Sequence, residues 1–148
     1  MESHPAPPPE LEPRDAQHLR LLAIGHVVLA GFCCAGLLFV VGHWYVMSAA
    51  VEFFDRIKPP NIDNSPSAFF ETLQLLYPLF GAPMALLLLG NLLSAHFIGL
   101  RQHRTFSMVV AVCNLSQAPF GTALGVCTLL VLVRPGVRAV YAFGAPPA

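Results

Sequence analysis

Three stretches without a charged side chain govern what this chain can become: Leu21–Val51, Thr72–Leu100 and Thr105–Val133, of 31, 29 and 29 residues. About 20 apolar residues in a helix cross a hydrocarbon core of ~30 Å. Each stretch is long enough, so the sequence predicts an all-α, polytopic transmembrane helical bundle. The charge deficit agrees, since 11% of residues are charged where a soluble domain carries about a quarter. Eight basic residues balance eight acidic ones, and no basic patch lies outside the membrane flanks, which argues against a nucleic-acid partner. The first apolar run is too long for the core of a secretory signal peptide, and a mixed-charge tail precedes it.

The order along the chain follows from composition. Residues 1–18 contain five prolines and no apolar periodicity, which predicts a disordered Pro-rich tail. A single transmembrane domain then covers residues 19–141, with helices at about 19–54, 66–100, 105–118 and 121–134 and an outer loop at 55–65. Residues 142–148 form a flexible tail. Trp44 and Tyr45 fall where an aromatic interfacial belt belongs. Pro59-Pro60 ends any helix there, and Ser65-Pro66 offers a cap and a first-turn proline for the next. Glu52, Asp55, Asp63 and Glu71 are placed with Arg56 and Lys58 in the solvated outer loop.

The third run raises a topological question, because "NLSQAP" and Pro119 sit at its midpoint. A straight span would bury those polar residues in mid-bilayer, whereas a hairpin broken at Ala118–Gly121 turns there. With the N-terminus cytoplasmic, the hairpin places Arg14, Arg20, Arg101, Arg104, Arg134 and Arg138 inside and only Arg56 and Lys58 outside, and positive-inside bias favours it. Four helices with both termini cytoplasmic, in a cell inner membrane, are expected. Each hairpin leg is only ~20 Å long, so the pair either just spans or is re-entrant.

Pro119, Gly121, Thr122, Leu124, Gly125, Thr128, Leu129 and Leu132 form a P-x-G-T-x-L-G-x-x-T-L-x-x-L pattern. With the opening "RDAQHLRLLAIGHVVLAGF", this resembles uncharacterised small bacterial four-helix integral membrane proteins, over roughly Arg14 to Tyr141. The resemblance implies a four-helix membrane protein and brings no catalytic residues. Where family members often carry an aromatic residue, this chain has Cys127.

Small residues recur four apart at Gly31/Ala35, Gly81/Ala85, Gly90/Ser94, Ala95/Gly99 and Gly121/Gly125. That spacing lets helix backbones approach closely, within one chain or against a partner. Asn91 lies ten residues before Arg101 and Asn114 ten after Arg104. Both are therefore expected ~15 Å deep, able to bond to each other or to Ser116, Gln117 or Thr122. His26 and His96 are expected at ~8 Å depth on neighbouring helices, where water or headgroups satisfy them; facing each other, they could instead ligate haem or a metal. His43, beside Trp44, reads as an interfacial anchor. Cys33, Cys34, Cys113 and Cys127 lie within apolar runs without metal or disulfide spacing and read as small hydrophobes.

The residues offer no nucleophile-base pair, paired carboxylates or metal-ligand spacing, so no catalytic, cofactor-binding or metal site is assigned. The expected function is non-enzymatic: helix–helix interaction with a second copy or another membrane protein, in the lipid bilayer. The alternatives are a small pore or transporter subunit, a haem or metal carrier using His26 and His96, and a membrane protein of toxin-immunity type.

Overall fold

The computed structural model describes residues 10–57, 69–70 and 73–143. All regular structure among them is helical: α1 Pro13–Ile57, α2 Leu76–Leu100, α3 Arg104–Asn114, α4 Phe120–Leu132 and α5 Pro135–Phe143. Most of the expected outer loop, from residue 58, lies outside the described residues, as do residues 1–9, 66–68, 71–72 and 144–148.

Several boundaries differ from the sequence reading. α1 begins at Pro13, not Leu19, so residues 13–18 are helical rather than part of a disordered tail. Proline is preorganised for the first helical position. Asp15 suits the positive end of the helix dipole and pairs with Arg134 at 2.7 Å. At its other end α1 runs through Glu52, Asp55 and Arg56 to Ile57, so these charges are helical, with Glu52 bonded to Arg56 one turn on. α3 stops at Asn114, four residues early, because tight i→i+3 bonds (Leu115 N to Val112 O, Ser116 N to Cys113 O) close the last turn. α5 is an element the sequence reading lacked. Pro135 cannot continue the α4 ladder, and the chain bends by 74° between α4 and α5.

The chain divides into two compact units, one of residues 1–30 and 89–148, the other of residues 31–88. In the first, every helix turns a stripe of spacing i, i+3/i+4, i+7 inward. On α2 it is Asn91, Ser94, Ala95 and Ile98; on α3, Ser107, Val110, Ala111 and Asn114; on α4, Gly121, Gly125, Thr128, Val131 and Leu132. Leu19, Leu22, Ile98, Val131, Leu132, Val137 and Tyr141 form the apolar core. α5 closes it with Val137 and Tyr141, four residues apart on one face, while Arg138 points outward. Meanwhile Leu89, Leu92, Leu93, Val109, Val112 and Leu130 are exposed. Small and polar side chains inside with large apolar ones outside is the arrangement expected when the solvent is lipid.

The α2–α3 turn is tight and uses two non-glycine residues in the left-handed region, Arg101 (φ 56°) and His103 (φ 48°). Gln102 N donates to Phe97 O at 2.9 Å and Arg101 N to Ile98 O at 3.2 Å. This is a Schellman closure with arginine where glycine is commonest.

α3 and α4 form a hairpin. Arg104 Nε donates to Leu132 O at 2.7 Å, which puts both open ends together. Gly121 and Gly125 let the two backbones meet: a Cβ at Gly121 would lie 2.6 Å from Asn114 O, and one at Gly125 would collide with Ala111 O. The third uncharged run therefore turns back rather than continuing as one kinked helix.

In the second unit, a Cβ on Gly36 would lie 2.6 Å from Met84 Sδ, and His43 Nδ1 and Tyr77 OH are 2.9 Å apart. A 250 Å³ cavity beside them is lined by Phe39, Val40, His43, Leu76, Tyr77 and Phe80, with Leu73.

Candidate functional site: a buried polar cluster on four helices

Six polar side chains of the first unit are fully buried, and five of them meet. His26 comes from α1, Asn91 and Ser94 from α2, Asn114 from α3 and Thr128 from α4. Asn91 and Asn114 form a reciprocal amide pair: Asn91 Nδ2 donates to Asn114 Oδ1 at 3.0 Å and Asn114 Nδ2 to Asn91 Oδ1 at 2.8 Å. Of the partners that their equal depth allowed, each other, Ser116, Gln117 or Thr122, the two amides take each other. His26 Nδ1 lies 2.7 Å from the same Asn91 Oδ1, its Nε2 is 3.2 Å from Thr128 Oγ1, and Ser94 Oγ is 3.5 Å from Nε2.

The polarity of the network follows from the inventory of donors. Asn91 Oδ1 is an acceptor, so the His26 proton is on Nδ1. Nε2 then offers a lone pair to the two hydroxyls. The Thr128 hydroxyl also lies 2.8 Å from Leu124 O, so its one proton is shared between that carbonyl and Nε2, and the Ser94 hydroxyl is the second donor to Nε2. A neutral imidazole is thereby satisfied on both sides. A polar group buried in hydrocarbon without partners costs several kcal/mol, and this arrangement avoids that cost at His26, Asn91 and Asn114. Intramembrane hydrogen bonds of this kind are worth about 0.6 kcal/mol on average and at most ~1.7. The cluster is thus a tie between four helices, and its chief effect is to fix their register.

His26 does not behave as the sequence reading expected. It is 0% exposed and bound by protein side chains rather than by interfacial water. His96 lies on the exposed face of α2, its ring against Phe97 at 5.9 Å. Both His26 nitrogens face Asn91, Thr128 and Ser94, so the pair does not present facing imidazoles for haem. Among the described residues no group of three or more His, Cys, Asp or Glu is placed to hold a metal ion. The four cysteines are free, Cys33 buried and the others exposed. Ser116 and Thr122 serve the hairpin turn instead of the asparagine pair: Ser116 Oγ donates to Cys113 O and Thr122 Oγ1 to Leu115 O.

Sequence reasoning missed Ser94 and Thr128 as partners. The signal was present in the periodicity. His26 falls in the buried stripe Leu19, Leu22, His26, Leu29 and Ala30 of α1, and Thr128 follows Gly121 and Gly125 on the buried stripe of α4.

Fold and site together define an all-helical chain organised for a membrane. Two helices, α1 and α2, are long and apolar enough to cross one, and the bent α4–α5 pair makes a third if taken as one span. Compared with protein-family models, curated proteins and solved structures, the chain matches none.

Proposed function

We propose that the chain is a non-enzymatic, multi-pass protein of a bacterial inner membrane that acts by helix–helix association, with a second copy or with another membrane protein. The observation that carries this reading is the outward face of α1. Gly31, Ala35 and Gly42 are exposed there, and a Cβ at Gly31 or Gly42 would meet nothing within 4 Å. Gly25, Gly36, Gly121 and Gly125, by contrast, are filled from within the chain. Small residues facing lipid leave a shallow groove into which a second helix packs closely, gaining dispersion contacts.

The topology belonging to this reading has α1 and α2 crossing the bilayer and both termini, with Arg101–Arg104, on the cytoplasmic side. Six of the eight basic residues then lie inside. From Arg20 to Trp44 and from Tyr77 to Arg101 is in each case 24 residue steps, ~36 Å of helix, matching a hydrocarbon core with part of its interface. α3 has 11 residues and α4 has 13, ~16 and ~20 Å, which favours a re-entrant hairpin over a second pair of crossings.

The test is association in lipid. Chains labelled separately with donor and acceptor dyes are reconstituted in vesicles, and the native chain is used as bait for solubilised membrane proteins of its host. Gly31→Leu with Gly42→Leu should abolish whichever association is found while leaving the helical circular dichroism unchanged. Association that survives both substitutions refutes the reading.

A further inference from the structure

The first unit also carries a groove of 500 Å³ between α1 and α4 whose two ends differ in chemistry. Its walls are apolar and include Leu22, Leu124, Val131 and the thiol of Cys127. At the inner end Leu124 seats against Gly25, where a Cβ would lie 2.6 Å from Leu124 Cδ1. The length from Arg134 back to Ala123 is ~16 Å at 1.5 Å per residue. At the mouth stand His18 and Arg134, with Arg134 Nη1 2.7 Å from Asp15 Oδ1 and 3.1 Å from His18 Nδ1. Arg134 is 43% exposed, and its Nε and Nη2 bond to none of the described residues, so half of the guanidinium fork faces outward.

From this geometry we infer that the groove holds an anionic phospholipid, one acyl chain along Leu22, Leu124 and Val131 and the phosphate on Arg134 and His18. Charge complementarity selects this occupant. The described part of the first unit carries six arginines against Glu10, Glu12 and Asp15. The Asp15–Arg134 and Arg104–Leu132 contacts place the first turn of α1 and the α2–α3 turn at the end where the mouth opens. Guanidinium groups bind phosphate through paired, charge-assisted hydrogen bonds, and basic pockets between helices near the cytoplasmic surface take anionic headgroups. Asp15 opposes the phosphate but is held by Arg134, so its removal frees the cation rather than unbinding the lipid. A zwitterionic lipid brings the same tail without net charge, and an unpaired groove helix brings no phosphate.

Cys127 reports occupancy. In a full-length C33A/C34A/C113A background, the rate of maleimide labelling is measured in nanodiscs of phosphatidylcholine alone and with added phosphatidylglycerol. Retention of phosphatidylglycerol in detergent is followed by native mass spectrometry. Phosphatidylglycerol should slow labelling severalfold. Arg134→Gln should weaken its retention about tenfold, the loss of a hydrogen-bonding group to a charged partner, and Asp15→Asn should strengthen it. Ala123→Phe leaves the mouth intact and fills the inner end, so it should also weaken retention, which covers the case that Arg134→Gln fails to fold. Equal protection by phosphatidylcholine overturns the inference. So does protection that rises with protein concentration in the absence of phosphatidylglycerol, which would mean that a second copy occupies the groove.

Discussion

Gly125→Ala is the smallest change that probes the hairpin, and its outcome follows from one contact. An added Cβ would collide with the carbonyl oxygen of Ala111 and lie 3.0 Å from Leu115 Cδ2. The obstacle is backbone, so no side chain can rotate away and α3 and α4 must separate. Overpacking of this kind costs about 1–3 kcal/mol. Separation also draws Thr128, one turn along α4, away from His26 at 3.2 Å, losing a bond worth about 0.6 kcal/mol. Against this, alanine gains about 1 kcal/mol over glycine in a helix. The expected net loss is about 0.6–2.6 kcal/mol. Gly99→Ala is the control, because a Cβ there meets nothing within 4 Å. It should be neutral or stabilising by up to about 1 kcal/mol. Reversible unfolding of both variants in mixed micelles, followed by circular dichroism, measures the difference. If Gly125→Ala is as stable as the native chain, or if both variants shift alike, the close approach of α3 and α4 is not what this geometry says.

Four further outcomes are expected. In a double-mutant cycle of Asn91→Ala and Asn114→Ala, the coupling energy in micelles should be about 1–2 kcal/mol, from two amide bonds at 0.6 kcal/mol or somewhat more each; a coupling near zero would remove the reciprocal pair. His26→Ala should lower the melting temperature measurably and His96→Ala hardly at all, because only the first ring is buried and bonded; equal shifts would contradict the different faces of the two rings. At the α2–α3 turn, Arg101→Gly should raise stability by about 0.5–1 kcal/mol and Arg101→Val should lower it, since a left-handed φ costs side-chain-bearing residues about 1–2 kcal/mol and suits β-branched residues least; thermal melts ranking valine above glycine would refute the strain. With a single cysteine at position 140, a membrane-impermeant maleimide should label only permeabilised cells, and labelling of intact cells would overturn the cytoplasmic C-terminus.

How far the sequence carried can be judged from particular residues. The class of fold, the polar break in the third run and the shared depth of Asn91 and Asn114 were legible because lipid restricts the choices to uncharged helices with polar groups turned inward. The depth of His26 was not. Counted from Arg20, the charge nearest the run, His26 lies six residues in; counted from Ala16, it lies ten, the same as Asn91 from Arg101. Their bond at 2.7 Å requires the second count. Arg20 is exposed, and a long arginine stem lets the charge reach the interface from inside it, so the first charge is a poor marker of the surface. The start of α1 was missed for a related reason. Prolines and mixed charge read as disorder locally, and the bond between Asp15 and Arg134 spans 119 residues of sequence. α5 was hidden behind Pro135, which stops one helix and starts the next.

On the proposed topology, the same hydrogen-bond accounting lets "NLSQAP" lie deep in a membrane. Irregular backbone survives there only when its polar groups find partners in the protein. Within the turn, Leu115, Ser116 and Gln117 donate their N–H groups to Val112, Cys113 and Asn114. Ser116 Oγ adds a second bond to Cys113 O. Thr122 Oγ1 reaches back to Leu115 O at 2.9 Å, and Gly121 N caps Gln117 O at 2.8 Å. Pro119, which ends the stretch, has no N–H to satisfy, and its carbonyl receives Ala123 N. Serine, threonine and proline at these positions therefore supply or spare several of the partners that the reversing backbone needs. Gly121 and Gly125 let the legs close on each other, and the buried cluster of Asn114 and Thr128 with His26 and Asn91 binds the reversed segment to α1 and α2. A leg of ~16 Å is too short to be held by spanning the bilayer; this hairpin is held by what it bonds to.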